Sequence, residues 1–470
     1  MEAMREPDEV YRILATDLYE LTMSKGYFDS HMENKIATFD LFIRSLPGDW
    51  GFLIANGIED AIDFLSEDFS FQSFDLYYLK DQKFPPQFLD FLGELKFTGD
   101  VWAVREGTPV APKSPIIRVT APLVQAQLAE TALLNLVNFQ TLIATKANRI
   151  VRTAAGAPVV DFGLRRAQGP YAGLKGARAA FIGGCAGTSN VDAGKRYKIP
   201  ISGTQAHSWI MAFPDELQAF RAYATSFPDN VTLLIDTYDV LNGARNACIV
   251  AKEMEAAGHR LGAVRIDSGD LGDLAGKVRA ILDGEGLNYV KIVGTSDLNE
   301  YKIHELVEKT AKIDSYGVGT DLITGKPVAA LSGVYKLVQI EDRPVLKLSS
   351  DKATFPGIKQ VYRLMDEYGN YRLDILALED ETVQDCAECA AFEIDSNHDT
   401  KAVSLLRPEI SKGKRIIPKD DIHRVQDYVA KCVSKMPASA QMIIAPTPYA
   451  LMPSAKLRKL MEELKGKYER

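Results

Sequence analysis

The stretch VTLLIDTYDVLNGARNACIVAKEMEAAGHRLGAVRIDSGD, residues 231–270, decides the fold class that the sequence predicts. Two short apolar runs, 231–235 and 263–266, enclose a segment whose apolar residues recur at helical spacing and which stops at Gly258. Runs of this composition suit strands buried on both faces, and a helix between two strands returns the chain so that they run parallel. The stretch therefore predicts one β–α–β unit of a parallel sheet.

The same unit recurs from about residue 158 to 325. The runs PVVDFG, IPISGT, YVKIVGTSD and IDSYGVGT share this character, and successive strand ends lie 25 to 32 residues apart from Thr204 to Thr320. At least six such units, with no glycine-rich phosphate loop after the first, favour a closed, TIM-like (β/α) barrel over a doubly wound sheet. In a barrel the strand ends face one mouth, so the following residues are expected to converge: Asp161, Thr204, Asp236, Asp267, Thr295, Asp297, Gly317 and Thr320.

The flanking regions differ from the barrel pattern. Short β-like runs punctuated by glycine and proline at 97–123 predict a small antiparallel sheet, and a long helical stretch follows at 126–154. The alternating segment 333–350 reads as a hairpin, and the charged tail contains helical patterns at 419–434 and 454–468. We therefore expect an N-terminal α/β domain, a barrel domain and a C-terminal extension at 1–156 (with a contribution from 335–375), 157–334 and 376–470.

Composition excludes several classes of protein. The formal net charge of −8 argues against a general nucleic-acid binder, because phosphate affinity rests on clustered Lys and Arg. The sequence contains no secretion signal pattern and no apolar run near the roughly 20 residues of a membrane span. Five loosely spaced cysteines predict reduced thiols in the cytoplasm. The pair Cys386 and Cys389 is a weak candidate for a structural metal, which would need further ligands such as Cys432 with His398 or His423.

Four motifs at predicted strand ends suit an anionic, phosphorylated ligand. In DFGLRRAQGP (161–170), Phe162 offers a stacking face, and Arg165 or Arg166 could bind a carboxylate, unless the arginines are ordinary surface residues. In VRIDSGDL (264–271), two carboxylates could bind ribose hydroxyls or Mg²⁺ through water, although Asp270 could instead cap a helix. The glycine-bearing turns VGTSDLNE and YGVGTDLITG allow backbone N–H groups to approach a phosphate.

A lone histidine follows another strand end, in ISGTQAHSWIMAF (201–213). His207 could be a structural side chain, or it could act as a base or as a nucleophile that carries a phosphoryl group. Position alone leaves both interpretations open.

The order and content of these motifs resemble the nicotinate phosphoribosyltransferase family, a type II phosphoribosyltransferase family. The resemblance runs from about residue 14 to 363 and rests on TDLYELTMSKGYF, TFDLFIRSLPGDWGFLIANG, ETALLNLVNFQTLIATKA, DFGLRRAQGP, GTQAHSW, RIDSGDL, GVGTDLITG and FPGIKQVYR. It implies an irregular α/β barrel beside an α/β sandwich domain. It also implies synthesis of nicotinate mononucleotide from nicotinate and phosphoribosyl pyrophosphate, coupled to ATP hydrolysis with Mg²⁺. The tail around Cys386 and Cys389 matches no motif of the family.

The resemblance also implies roles for particular residues. His207 would be phosphorylated by ATP, and nicotinate would lie between Phe162 and a Tyr19 supplied by the partner subunit of a homodimer. Arg165, with Arg166 beside it, would pair with the carboxylate, and Arg265 and Asp267 would lie near the base and ribose. The remaining expected substrate-binding positions are Gly163, Thr204, Ser208, Ser268, Gly269, Gly294, Ser296, Asp297, Gly317, Gly319 and Thr320.

Three rival functions follow from the same pattern. A nicotinamide phosphoribosyltransferase is the nearest alternative, but a neutral amide needs no paired arginines. A quinolinate enzyme should have a more basic pocket and no ATP-linked histidine. A catalytically silent nucleotide-sensing dimer would lack His207 or Asp267, and both are present.

Overall fold

The computed structural model describes residues 11–348, 354–382 and 401–468. The strands are β1 Ile36–Ile43, β2 Leu53–Ile54, β3 Asp100–Val104, β4 Pro109–Val110, β5 Ile117–Pro122, β6 Val159–Asp161, β7 Gly187–Thr188, β8 Thr232–Leu234, β9 Ala263–Ile266, β10 Lys291–Gly294, β11 Ser315–Val318, β12 Gly333–Ile340, β13 Arg343–Pro344, β14 Lys359–Met365, β15 Tyr371–Leu378, β16 Lys401–Ser404, β17 Leu406–Ser411, β18 Lys414–Arg415 and β19 Leu451–Pro453.

The helices are α1 Leu18–Asp29, α2 Ile58–Asp63, α3 Ser73–Asp81, α4 Pro86–Glu94, α5 Leu123–Leu128, α6 Glu130–Thr153, α7 Pro170–Ile182, α8 Val191–Tyr197, α9 His207–Met211, α10 Glu216–Ser226, α11 Val240–Ala256, α12 Leu271–Gly284, α13 Glu300–Glu308, α14 Thr320–Ile323, α15 Ile422–Ser434, α16 Ala438–Gln441 and α17 Ala455–Tyr468. A π-helical turn continues α2 over Phe64–Asp68, and a 3₁₀ turn covers Leu164–Arg166. The predicted helices in the tail are confirmed by α15 and α17, whereas the predicted helix at 126–154 is divided between α5 and α6.

The chain forms two compact units, Met1–Leu142 with Ala330–Arg470 (unit 1) and Ile143–Ala329 (unit 2). The domain boundaries drawn from the sequence remain a prediction about independently folding parts. Both units mix helices and strands, so the chain is α/β, as expected. No helix in the described residues combines the length and the apolarity that a membrane crossing demands.

Unit 1 is built on a seven-stranded antiparallel sheet in the order β13-β12-β1-β5-β3-β17-β18. The predicted hairpin is confirmed, since β12 pairs with β13 through Ile340 and Arg343. The rings of Phe39 and Tyr335 on neighbouring strands stack at 4.8 Å. A four-stranded sheet, β16-β14-β15-β19, and the small pair β2-β4 complete the unit.

Unit 2 contains a six-stranded parallel sheet in the order β7-β6-β11-β10-β9-β8. Its strands are apolar because helices cover them, and Leu233, Val264, Ile292 and Val318 are fully buried. The polar residue after several strands caps the next helix: Asp239 accepts from Asn242 N at 2.8 Å, and Asp270 and Asn299 cap α12 and α13. Since all six strands run in one direction, their carboxyl ends lie along one edge.

The structure does not confirm the closed barrel expected from the sequence: in the described residues this sheet is open, with β7 and β8 at its edges. Beyond β7 the chain adds a single bridge, Thr188 to Ile201, and no ladder in the described residues joins this segment to β8. The run IPISGT was expected to form a strand, but it forms one bridge before α9 begins at His207. A cavity of about 690 Å³ is lined by this segment and by residues of the central strands, among them Ile201, Thr204, Val160, Val293 and Tyr316.

Candidate active site

A cavity of about 270 Å³ opens at the carboxyl edge of the parallel sheet in unit 2. Four strand ends that are far apart along the chain meet there, those of β6, β9, β10 and β11. Its lining consists almost entirely of residues that the motifs singled out: Phe162, Arg165, Arg166, Arg265, Asp267, Thr295, Ser296, Asp297, Gly317, Gly319 and Thr320.

Phe162 reaches this cavity because a buried carboxylate shapes the turn after β6. Asp161 accepts hydrogen bonds from Gly163 N at 2.8 Å and from the Thr188 hydroxyl at 2.7 Å. Desolvation raises the pKa of the Asp161 carboxyl, and the two hydrogen bonds oppose that shift. Asp161, which the sequence placed at the strand ends, therefore anchors the Phe162 turn.

A glycine on β11 makes room for the Phe162 ring. A Cβ atom on Gly317 would lie 2.5 Å from Phe162 Cε2, far inside van der Waals contact. Phe162 N also donates to Val318 O at 2.8 Å, which holds the turn against β11. The ring therefore lies directly on the strand and presents its other face to the cavity.

Three guanidinium groups border the cavity and make it suitable for an anion. Arg165 and Arg166 are exposed residues of the 3₁₀ turn, and Arg165 Nη1 lies 3.5 Å from Phe162 O. Arg265, on β9, donates through Nη1 to the Thr204 hydroxyl, and its Nη2 lies 3.5 Å from Asp267 Oδ2. Planar guanidinium groups beside an aromatic face suit a flat carboxylate ligand.

The turn after β10 has an unusual backbone. Ser296 and Asp297 have φ angles of 98° and 39°, in the region that side-chain-bearing residues rarely adopt. Lys302 Nζ donates to Asp297 O at 2.8 Å, and Asn299 Nδ2 donates to Asp321 Oδ2 at 2.9 Å, next to the second glycine-bearing turn. Strained backbone of this kind is concentrated at ligand sites.

His207, the first residue of α9, lies between a hydroxyl and two carboxylates. Its Nδ1 is 3.1 Å from Thr237 Oγ1. Its Nε2 is 3.8 Å from Asp267 Oδ2 and 4.0 Å from Asp236 Oδ1. The imidazole is 40% exposed, whereas the side chain of Asp236 is fully buried.

Asp267 and Asp236 connect the histidine to the rest of the site. Asp267 Oδ1 accepts from the Thr295 hydroxyl, and Asp267 N donates to Asp236 Oδ2 at 3.1 Å. The Ser268 hydroxyl also donates to Asp236 Oδ2, at 2.6 Å. Asp236 Oδ1 is buried without a hydrogen-bond partner. One polar network therefore runs from β8 through β9 to β10.

Some predicted site residues lie elsewhere. Gly294 is buried with Ile313 beside it, and its expected role in phosphate binding stays a prediction; Asp270 caps α12, the alternative that the sequence left open. The exposed Ser208 begins α9 beside His207, and Gly269, with φ of 80°, shapes the turn before α12. Tyr19 belongs to unit 1, where it is 44% exposed.

The cysteine pair 386 and 389 lies outside the described residues, as does His398. Cys185, Cys248 and Cys432 are buried. In the described residues no group of three or more His, Cys, Asp or Glu side chains could hold a metal ion.

Two functional candidates were not assigned roles from the sequence. The motifs place Asp236 only among the converging strand ends, and they do not single out Thr237. The sequence feature that could have identified them is the polar pair directly after the apolar run VTLLI. Asp267 and Ser268 occupy the same position after β9.

Family models match nearly the whole chain. The model of the nicotinate phosphoribosyltransferase (NAPRTase) family matches residues 158–372, and models of the NAPRTase N-terminal and C-terminal domains match 14–138 and 358–461. The resemblance inferred from the motifs is therefore confirmed, and it extends further than expected: the tail around Cys386 and Cys389, in which the sequence analysis found no motif of the family, lies within the match to the C-terminal domain.

Individual relatives agree with the family models. A nicotinate phosphoribosyltransferase of Bacillus subtilis is 42% identical over 93% of this chain and 91% of its own length, and one of Mycobacterium tuberculosis is 43% identical over 77% and 78%. The crystal structure of human nicotinic acid phosphoribosyltransferase is 28% identical, has a TM-score of 0.83, and covers 96% of this chain and 99% of that one. The similarity therefore extends over both units.

Proposed function

The chain belongs to the nicotinate phosphoribosyltransferase family, and we propose that it couples the family reaction to ATP through His207. The reaction transfers the phosphoribosyl group of phosphoribosyl pyrophosphate to nicotinate, and its product, nicotinate mononucleotide, enters NAD salvage. The observation that carries the assignment of the site is the 270 Å³ cavity, which combines an aromatic face, three arginines and two glycine-bearing turns.

In this proposal nicotinate stacks on Phe162, and its carboxylate pairs with Arg165 or Arg166. The sugar phosphate lies against the turns of Ser296–Asp297 and Gly319–Thr320, whose backbone N–H groups can approach phosphate oxygens. The pyridine nitrogen already has a free electron pair, so it attacks ribose C1 without a general base as pyrophosphate leaves. The enzyme contributes by holding the nitrogen near C1 and by stabilising the developing charges.

We assign the ATP-linked step to His207 because of its surroundings. The imidazole is 40% exposed, and Asp267 connects it to Arg265 and Thr295 in the cavity. Phosphorylation of this ring would add negative charge next to the phosphate-binding turns. The added charge can therefore alter the binding of phosphoribosyl pyrophosphate, and in this way phosphorylation couples ATP hydrolysis to synthesis.

The carboxylates of Asp236 and Asp267 fit a role in Mg²⁺ binding. Asp236 Oδ1 has no hydrogen-bond partner, and Mg²⁺ at phosphate sites is held by one or two carboxylates together with substrate oxygens. The ion would supply charge neutralisation for the phosphates.

We further propose a cytoplasmic homodimer in which Tyr19 completes the partner's site. Its support is that Leu18, Tyr19 and Met23 on α1 are 66%, 44% and 38% exposed, an aromatic and apolar face available for a second subunit.

The first test is product analysis with nicotinate, nicotinamide and quinolinate offered separately, with and without ATP. We expect mononucleotide only from nicotinate and a higher yield with ATP. In His207→Asn we expect ATP hydrolysis during turnover to disappear while slow ATP-independent synthesis remains. Equal coupling in this variant and in the wild type would refute the role of His207, and preferred use of nicotinamide would refute the carboxylate site.

A further inference from the structure

One asparagine side chain connects the two turns that border the cavity after β10 and β11. The amide oxygen of Asn299 accepts hydrogen bonds from Tyr301 N at 3.1 Å and from Lys302 N at 3.0 Å, so it caps α13. Because the oxygen is used in this way, the amide nitrogen faces the other turn, where it donates to Asp321 Oδ2 at 2.9 Å. Each end of the side chain therefore has its own task, a helix cap on one turn and a bridge to the next.

The bridge lies directly behind the residues that line the cavity. On the first turn, Ser296 and Asp297 line the cavity just before Asn299. On the second turn, Thr320 lines it and is followed at once by the buried Asp321. The bridge therefore connects the two turns against which the sugar phosphate is proposed to lie.

Buried charges fix the first turn to the rest of unit 2. Glu300, the residue after Asn299, is fully buried and pairs with Lys146 and with Arg149 Nε, the latter at 3.2 Å. Both cations belong to α6 and are themselves buried. Separating such a group would leave a charge unpaired in the interior, which is strongly destabilising. The start of α13 is therefore a fixed point from which the second turn can be held.

We propose that Asn299 is a positioning residue that, through Asp321, holds the two turns at the separation that binds the phosphate of the nucleotide. The ladder between β10 and β11 ends at Gly294 and Tyr316, so the paired backbone does not reach the turns. A phosphate that accepts hydrogen bonds from both turns requires them at one separation. The inference rests on the proposed placement of the sugar phosphate.

The test changes the bridge while keeping the helix cap. Asn299→Asp still caps α13 but sets a second carboxylate against Asp321, so the bridge is lost. In the double variant Asn299→Asp, Asp321→Asn the two side chains exchange the roles of donor and acceptor, which restores the bridge. Asn299→Ser keeps a cap and removes the bridge without adding a charge. Asn370→Asp is the matched control, because Asn370 Nδ2 donates to Asp366 Oδ2 at 3.0 Å in the exposed turn between β14 and β15.

The measurement is the binding of nicotinate mononucleotide and of its riboside, which lacks the phosphate, to the full-length protein without ATP. Calorimetry gives both affinities, and their ratio reports the phosphate contact. A hydrogen bond to a charged group shifts an equilibrium by about 10- to 100-fold, and a smaller population of the competent arrangement weakens binding in proportion. We therefore expect the nucleotide to bind about 10-fold more weakly in Asn299→Asp and Asn299→Ser, with the riboside unaffected. The double variant should recover, and Asn370→Asp should match the wild type.

Steady-state kinetics supply a second measurement. In Asn299→Asp and Asn299→Ser the KM for phosphoribosyl pyrophosphate should rise about 10-fold, while the KM for nicotinate stays unchanged. A general loss of structure would instead affect both substrates. Melting temperatures show which variants are folded, and Asn299→Ser decides the matter if Asn299→Asp is not.

Three results would overturn the inference: unchanged nucleotide binding in Asn299→Ser, an equal loss of nucleotide and riboside binding, or a double variant that does not recover. Equal affinities of the wild type for nucleotide and riboside would refute the placement of the phosphate in the proposed function and, with it, this role of Asn299. The wild-type ratio therefore distinguishes the two failures.

Discussion

At the scale of single residues, the contact between Gly317 and Phe162 determines where a flat ring can bind. In Gly317→Ala the added Cβ would meet Phe162 Cε2 at 2.5 Å and Thr295 Cγ2 at 2.7 Å, so the ring must shift. We expect a higher KM for nicotinate and a loss of about 1–3 kcal/mol in the free energy of unfolding, as for other overpacked sites. Steady-state kinetics and denaturant unfolding measure the two effects.

The control for this change is Gly276→Ala, in the middle of α12, where an added Cβ meets no atom within 4 Å. It should stabilise the protein by about 0.4–1 kcal/mol and leave the KM for nicotinate unchanged. An unaltered KM in Gly317→Ala would show that nicotinate does not bind against Phe162.

The arginine pair gives a second prediction at this scale. Removing a charge-assisted hydrogen bond worth about 1.5–3 kcal/mol should raise the KM for nicotinate about 10- to 100-fold in Arg165→Ala. The KM for phosphoribosyl pyrophosphate should change much less. Arg245→Ala is the control, since Arg245 is exposed on α11 and donates to Asn242 in the same helix. A normal nicotinate KM in Arg165→Ala and a raised one in Arg166→Ala would assign the carboxylate to Arg166.

The sequence was informative about residues whose chemistry is visible in a motif and uninformative about those defined by a contact. Arg265 and Asp267 could be identified because one charged group lies near the end of β9 and the other directly follows it. Thr237 could not, because its contact depends on the rotamer of a histidine 30 residues away. The neighbour of Gly294 could not be read from the sequence either, because a glycine beside an isoleucine and a glycine beside a phosphate have the same local sequence pattern.

At the scale of elements, the parallel strands and their return helices were predictable from local sequence. Each strand is a short apolar run, and each helix has its own apolar period and its own capping residue. Closure of the sheet was not predictable from local sequence. It depends on whether two edges separated by about thirty residues form a ladder, and β8 and the Ile201 segment are too short to do so. The strand ends meet at one edge whether or not the sheet closes, so the expected position of the site does not depend on closure.

Helix α1 carries a buried carboxyl group that makes stability depend on pH. Glu20 is fully buried and accepts from Gln127 Nε2 at 2.8 Å, and desolvation raises the pKa of its carboxyl from 4.5 to about 7. The folded state therefore binds the proton more tightly than the unfolded state. Its contribution to stability is complete below pH 4.5 and is lost as the pH rises through about 7.

Glu20→Gln should remove this dependence. Relative to the wild type, the variant should gain about 2–3 kcal/mol in unfolding free energy between acidic and neutral pH, provided that the amide keeps the bond from Gln127. Urea unfolding at a series of pH values measures the difference. The exposed Glu94→Gln, at the end of α4, should follow the wild type throughout. A constant difference between Glu20→Gln and the wild type would show that Glu20 ionises at its ordinary pKa.

At the scale of the whole molecule, the proposed dimer makes each active site depend on two chains. Tyr19→Ala and His207→Asn should each abolish ATP-coupled synthesis as homodimers. When the two chains are co-expressed, a mixed dimer has one site with both mutations and one with neither. Random pairing makes half of the dimers mixed, so about one quarter of the wild-type rate should return if Tyr19 acts in the partner's site.

A second mixture tests the same arrangement, and in it a crossed site lowers the rate instead of restoring it. Wild-type chains co-expressed with the double variant Tyr19→Ala, His207→Asn form mixed dimers in which neither site is complete if Tyr19 crosses to the partner. The rate should then fall to about one quarter of the wild-type rate, since only wild-type pairs remain active. If Tyr19 serves its own chain, every wild-type chain stays active and about half of the rate remains. Half the rate here, together with no recovery in the first mixture, would refute the crossed arrangement.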